Sequence, residues 1–221
     1  MSAAFAIAAL LVMLNIGRAV LVYEFGFNDL QLVLRKFDLD AENSIPAWFS
    51  STMLASGGLL ALTIGMVERQ GKGPNWAMWA MLGLIFLGLS MDETAGFHEL
   101  SGRFLKKRTD WHGLFYYRWV FVGAVFASVV GLAYLRFFLS LEPRTRVRLL
   151  IAGGVYIFGA LGMEMVGAVR EQMTGTRADL VYSLLVSVEE ACEMAGAILF
   201  VGALLDYLLH LPGKISFVLD R

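Results

Sequence analysis

The sequence predicts an all-α fold: a polytopic membrane helix bundle of about six transmembrane helices, with a short interfacial helix in the first loop. Three observations predict it. Hydrophobic residues make up 58% of the 221 residues and charged residues only 17%. Mean hydropathy is +0.66, well outside the range of soluble domains. Apolar stretches close to the roughly 20 residues needed to span a bilayer recur along the chain, separated by polar or breaker-rich segments.

The first span, 3–23, has no basic segment ahead of it and is long for a signal peptide, so it reads as a retained helix. In the loop that follows, Leu30, Val33, Leu34 and Phe37 recur at helical spacing while Gln31, Arg35 and Lys36 lie elsewhere on the wheel. That pattern predicts a helix lying in the membrane interface. Its continuation, FDLDAEN, alternates Asp38, Asp40 and Glu42 but lacks the glycine and remaining ligands of an EF-hand loop, so it reads as a solvated acidic loop. Further spans follow at 47–67, 76–97, 115–139, 149–169 and 181–209, separated by ERQGKGPN, SGRFLKKRTDWHG, EPRTRVR and REQMTGTRAD. The fourth carries Gly123, Ala127 and Gly131, and the sixth Ser187, Ala191 and Ala195; each ladder of small residues predicts a face for close helix packing. Trp48, Trp76, Trp79, Trp111 and Trp119 fall near predicted helix ends, as interfacial anchors do. No low-complexity linker divides the chain, so residues 1–221 form a single transmembrane helical domain.

A net charge of −1 excludes nucleic acid as a partner, because phosphate binding needs a concentrated basic surface. Membrane lipids are the expected partners, with a second copy of the chain or a larger membrane complex as the protein partner. The single cysteine, Cys192, excludes an internal disulfide. Lys and Arg are nearly balanced between the two sides, and the compact Lys106-Lys107-Arg108 run tips the odd-numbered loops toward the cytoplasm.

Function is carried by seven carboxylates inside or at the ends of apolar stretches: Asp92, Glu93, Glu99, Glu164, Glu189, Glu190 and Glu193. A charge at bilayer depth costs about 2.5 to 3.5 kcal/mol or more, so such groups face a partner, a cavity or a cation. The third and fifth spans run toward odd-numbered loops and carry their acids late; the sixth runs back from one and carries its acids early. All seven therefore lie on one side of the bilayer. Asp92 and Glu99 are two turns apart on one face of the third helix, with Gly96 between them and Glu93 and His98 to either side. The available counter-charges are Arg18 and Arg118, too few for the acids, so some acids are protonated or share a bound cation. The candidate metal set is Asp92, Glu93, His98, Glu99, Glu164, Glu189, Glu190 and Glu193. Iron, manganese, zinc or calcium fits such donors, although the Glu-x-x-His spacing of di-iron bundles is absent. His112 could join His98 as a second imidazole ligand, while His210 reads as an ordinary helix-terminal residue.

The string Asp92-Glu93-x4-His98-Glu99, with the later Glu189-Glu190-x2-Glu193-Met194, resembles uncharacterised bacterial multi-pass membrane proteins. The resemblance implies a bacterial inner-membrane protein with a shared acidic site and brings no activity with it. The motifs differ from those of ceramidase-like hydrolases, which are richer in histidine. They also differ from CAAX-type membrane proteases, since Met194 stands where an arginine is needed. Three functions are compatible with the sequence. The first is a membrane-embedded metalloenzyme acting on a lipid-like substrate; the others are a proton- or cation-coupled transporter or channel, and a non-catalytic subunit of a membrane complex.

Overall fold

The computed structural model describes residues 1–27 and 34–211. Within them the chain forms α1 (Ser2–Glu24), α2 (Ile45–Gln70), α3 (Trp76–Ala95), α4 (Phe97–Lys106), α5 (Trp119–Ser140), α6 (Pro143–Thr174) and α7 (Leu180–His210). All but α4 are long and apolar enough to cross a membrane, which gives the six spans expected of an integral membrane protein. Most of the expected interfacial helix lies outside the described residues; what is described of it is a 3₁₀ turn at Arg35–Phe37.

Local chemistry sets the helix ends. Ser44 caps α2 by accepting from the Ala47 amide at 3.2 Å, with Pro46 in the first turn. Pro143 opens α6 in the same way. Asp179 caps α7 by accepting from the Tyr182 amide at 2.9 Å and also takes a hydrogen bond from Arg170 at 3.2 Å. These donors favour the carboxylate, and against the cost of burial they hold Asp179 below the usual carboxyl range. The third span ends earlier than its hydropathy implies. Gly96 takes a left-handed conformation, φ +61°, and the chain turns there into the separate helix α4.

Glycines set how closely the helices approach. A Cβ on Gly58 would stand 2.9 Å from the Gly83 carbonyl oxygen, and one on Gly83 would stand 2.7 Å from that of Gly58, so α2 and α3 meet backbone to backbone. The same occurs between α6 and α7. A Cβ on Gly196 would lie 2.7 Å from the Tyr156 amide nitrogen, and one on Gly159 would lie 2.7 Å from the Glu189 carbonyl oxygen. Gly159 sits in a π-helical stretch, Phe158–Met163, that interrupts α6. Such insertions displace the residues after them around the helix axis and recur at functional sites.

Helix α7 is the centre of the bundle, packed by α1, α2 and α6. On the even-loop side, Trp79, Tyr134, Phe137, Leu149, Phe200 and Leu204 form a closed core, with Trp79 edge-on to Phe137 at 4.9 Å and Phe86 stacked on Phe200 at 3.8 Å. Trp79 is fully buried there, which corrects its expected role as an interfacial anchor. Trp48, 66% exposed, fits that role. Near the other side, α1 docks on α7 through Ala8, Leu11, Met194 and Ile198. There the fully buried Asn15 donates to the Ser187 hydroxyl at 3.0 Å.

Helix α5 is held mainly at its ends. It meets α4 at its start, where a Cβ on Gly102 would approach Trp119, and meets α3 near its finish, where the Tyr134 hydroxyl donates to the Met78 carbonyl at 3.0 Å. Between these points Gly123, Ala127 and Gly131 line a cavity, so the middle of this small-residue ladder faces space and is not a helix-packing face. At Gly131 a Cβ would meet nothing within 4 Å, whereas at Gly123 it would meet Leu161 at 2.9 Å.

The two kinds of glycine give a paired test. Gly196→Ala should lower the stability of the detergent-solubilised protein by about 1 kcal/mol or more, because overpacking against Tyr156 outweighs the helix-propensity gain. Gly154→Ala, where a Cβ meets nothing within 4 Å, should be neutral or stabilising. Denaturant titration followed by Trp fluorescence measures both.

Candidate functional site

The eight residues of the candidate metal set all line one cavity of about 780 Å³, within the range of small-molecule sites. Each helix delivers its share by its direction. Helix α3 ends on Asp92 and Glu93, α6 brings Glu164 just after its π-helical stretch, and α7 brings Glu189, Glu190 and Glu193 soon after leaving the fifth loop. Glu189 and Glu193 are 8% and 9% exposed, and what remains accessible opens into this space.

Gly96 changes how Asp92, His98 and Glu99 are arranged. The expected common face for Asp92 and Glu99 on one continuous helix does not exist, because the left-handed turn places Glu99 on α4. Asp92 instead reaches across the turn. Its Oδ1 accepts from the His98 amide at 2.8 Å and its Oδ2 lies 3.0 Å from His98 Nδ1. Burial opposes a charged imidazole, but the Asp92 hydrogen bond outweighs it and His98 is held above the usual histidine range. A carboxylate on Nδ1 leaves Nε2 as the atom that can bind a ligand, the same arrangement by which second-shell carboxylates orient metal-binding histidines. The His98 ring also packs on Trp119 at 4.7 Å, and Trp119 Nε1 donates to Glu164 Oε1 at 2.9 Å.

Glu164 on α6 and Glu189 on α7 line the same cavity, across the close approach of those helices at Gly159. Among the described residues, none of Glu93, Glu164, Glu189, Glu190 or Glu193 forms an ion pair. Of the basic residues on the cavity wall, Arg103 pairs with Glu99 at 3.4 Å, Arg177 with Glu171 at 2.6 Å, Arg118 donates to the carbonyls of Tyr116 and Thr109, and Lys106 Nζ lies 5.6 Å over the Tyr116 ring. Arg118 keeps its place on the wall, 5% exposed, with its Nε unpartnered. Arg18 is bound outside the acidic set: it donates to Asn15 Oδ1 at 3.1 Å and to Asp38 Oδ1 at 2.7 Å. Among the described residues no His, Cys, Asp and Glu side chains form a ready-made group of three or more able to hold a metal ion. His112 sits in the third loop, where Gln172 Nε2 lies 2.8 Å from its Nδ1.

Two acids of the first-loop segment, Asp40 and Glu42, line the cavity, while Asp40 stays exposed as its solvated reading expects. Asp38 is held by Arg18, and the Leu39 amide donates to Asn15 Oδ1 at 3.3 Å, so the segment is tied to α1. Asp40 and Glu42 then stand on the cavity wall. Asp40 is exposed beside the cavity and Glu42 is half-buried. Desolvation there pushes the Asp40 carboxyl up to about 7, reinforced by Asp38, Glu164 and Glu99 and opposed by Arg177. Glu42 lies against Gly96, with its Oε1 buried and unpartnered. Its carboxyl too is raised by desolvation, and next by the charge of Glu99.

Sequence reasoning missed Trp119, Asp40, Glu42, Tyr117, Glu171 and Arg177. At the cavity rim the Tyr117 hydroxyl donates to Glu171, and the Arg177 guanidinium lies 4.6 Å over the Tyr117 ring. The alternation at Asp38, Asp40 and Glu42 was the visible signal, since that loop joins the same side as the other acids.

Two outcomes test this geometry. Gly96→Ala should destabilise the fold by about 1 to 2 kcal/mol from its left-handed φ alone, with more from the clash with Glu42. In a double-mutant cycle, Glu42→Ala should recover the clash contribution only. For Asp40, a raised folded-state value means that the fold binds the proton more tightly than the unfolded chain does. Stability should therefore be unaffected at acid pH and fall as pH rises from the ordinary carboxyl range to about 7. Asp40→Asn should flatten that part of the melting-temperature profile.

No curated protein and no solved structure matches the chain. A family described as a domain of unknown function, DUF8692, matches residues 3–208, a stretch that contains every residue of the acidic site. The chain belongs to the DUF8692 family.

Proposed function

We propose that this protein is a membrane-embedded metalloenzyme of a bacterial plasma membrane, with its odd-numbered loops cytoplasmic, acting on the polar head of a lipid-like substrate. One observation carries the reading: Glu93, Glu164, Glu189, Glu190 and Glu193 share a cavity at bilayer depth without an ion pair among the described residues. Carboxylates so placed need a cation or protons to be tolerated. Donors that are nearly all oxygen, with one oriented imidazole, suit calcium or manganese better than a thiolate-seeking metal.

In this reading Glu189, Glu193 and His98 Nε2 are the first ligands to test, with Asp92 fixing the imidazole. A bound divalent cation would supply Lewis-acid polarisation of the substrate head. The protein's own part is to orient the head against Trp119 and Arg118 and to move a proton between Glu164 and Glu189, one acting as general acid and the other as base. The same carboxyl pair supports a second reading, a proton pathway without metal.

Elemental analysis of the purified protein should find roughly one equivalent of a divalent metal, as in carboxylate-rich sites. It should be lost in Glu193→Gln while helicity is retained. Absence of metal after loading with calcium, manganese, zinc and iron would remove the metalloenzyme and leave the proton pathway. A pH-sensitive dye in reconstituted vesicles would then follow that pathway.

A further inference from the structure

The cavity does not end at the carboxylates. It continues toward the even-loop side between α3, α5, α6 and α7, where its lining is mainly apolar: Ala127, Val130, Leu149 and Gly153, with Tyr134 and Phe138. The stretch of α6 from Glu164 to Leu149 covers roughly 22 Å of helix rise. This arm is lined by small residues on opposite walls. At both Gly131 and Gly153 a Cβ would meet nothing within 4 Å. The end wall is fixed: Tyr134 is hydrogen-bonded to the α3 backbone and Phe137 packs beside it on Trp79. A slot long in one direction, bounded by a rigid end and joined at its other end to a polar chamber, has the shape of a chain with a head group.

We propose that the apolar arm binds the single long alkyl or isoprenoid chain of an amphiphile, lying along α5 and α6 with its tip against Tyr134 and Phe138, and that the arm's length selects the chain. The inference rests on the proposed function for what happens at the head, but the arm's own selectivity does not depend on a metal. At the chamber, the unpartnered Nε of Arg118 and the buried Glu189 and Glu193 are the polar groups nearest an incoming head. Ala127 and Gly153 determine the arm's bore, because any larger side chain at either position projects into it.

The test uses the purified full chain in micelles and photoactivatable alkanols with a diazirine at the terminal carbon, whose neutral head makes labelling independent of the acids' charge. Octadecanol should label peptides containing residues 127–138 and 149–157, and decanol should label nearer Leu161 and Gly123. In Ala127→Leu and in Gly153→Leu, labelling of the inner positions by octadecanol should fall by roughly tenfold, the scale of an overpacked site, while decanol labelling persists. Labelling confined to the lipid-facing side chains Leu132, Leu135 and Leu139, or inner labelling unchanged in both folded variants, would overturn the proposal. Metal content is read separately on the same preparations: inner tail labelling without metal would uphold the arm whatever becomes of the head chemistry, and metal binding with no inner labelling would do the reverse.

Discussion

The approach of α6 to α7 is the constraint on which the rest of the molecule depends. Two glycines, Gly159 and Gly196, let these helices touch backbone to backbone, and the contact falls at the level of the acids. Had either position carried a side chain, α6 would stand off and Glu164 would lose its place beside Glu189. The π-helical stretch adds a second effect, because an extra residue in the turn re-aims everything after it. Glu164 therefore owes its position to packing and backbone winding together. These carboxylates open onto a shared space, and the exposed surfaces of the spanning helices stay apolar.

The spans and the side on which the acids gather could be read in the sequence, because length, hydropathy and direction of travel are properties of one helix at a time. What could not be read depends on two elements at once. The break at Gly96 needs Glu42 from another loop against it and Asp92 reaching forward to His98, and no run of residues encodes that meeting. Small residues look alike whether a helix or a void lies opposite them: on the α5 ladder Gly123 is packed against Leu161 as expected, while Gly131 meets space. Trp79 and Trp119 show the same ambiguity: both sit near helix ends, one in the core and one bonded to Glu164. Helical periodicity assigns faces, and only the assembled bundle assigns partners.

Arg18 shows how a buried charge can organise a site without entering it. Its guanidinium joins Asn15 and Asp38, and Asn15 in turn reaches Ser187 on α7 and the Leu39 amide. Helix α1, the first loop and the central helix are thereby locked by one hydrogen-bonded network in which every member has a partner, the condition under which buried polar groups specify a fold. The segment carrying Asp40 and Glu42 is laid over the cavity as a result. The N-terminal helix places no carboxylate on the cavity wall, yet it positions Asp40 and Glu42 there.

The loose seating of α5 has a consequence for how the site meets its surroundings. Phe126, Leu150 and Ile157 line the cavity and are also exposed, so the space opens sideways between α5 and α6. A molecule using that opening arrives from within the leaflet and never crosses water. Its effective concentration is then its mole fraction among neighbouring lipids, so diluting the membrane with inert lipid would slow loading while diluting the aqueous suspension would not. Transfer from one apolar medium to another also gives little hydrophobic drive, so discrimination between ligands has to come from shape and from the polar chamber. A protein loaded in this way samples its bilayer as a solvent, and the composition of that solvent becomes one of its operating conditions.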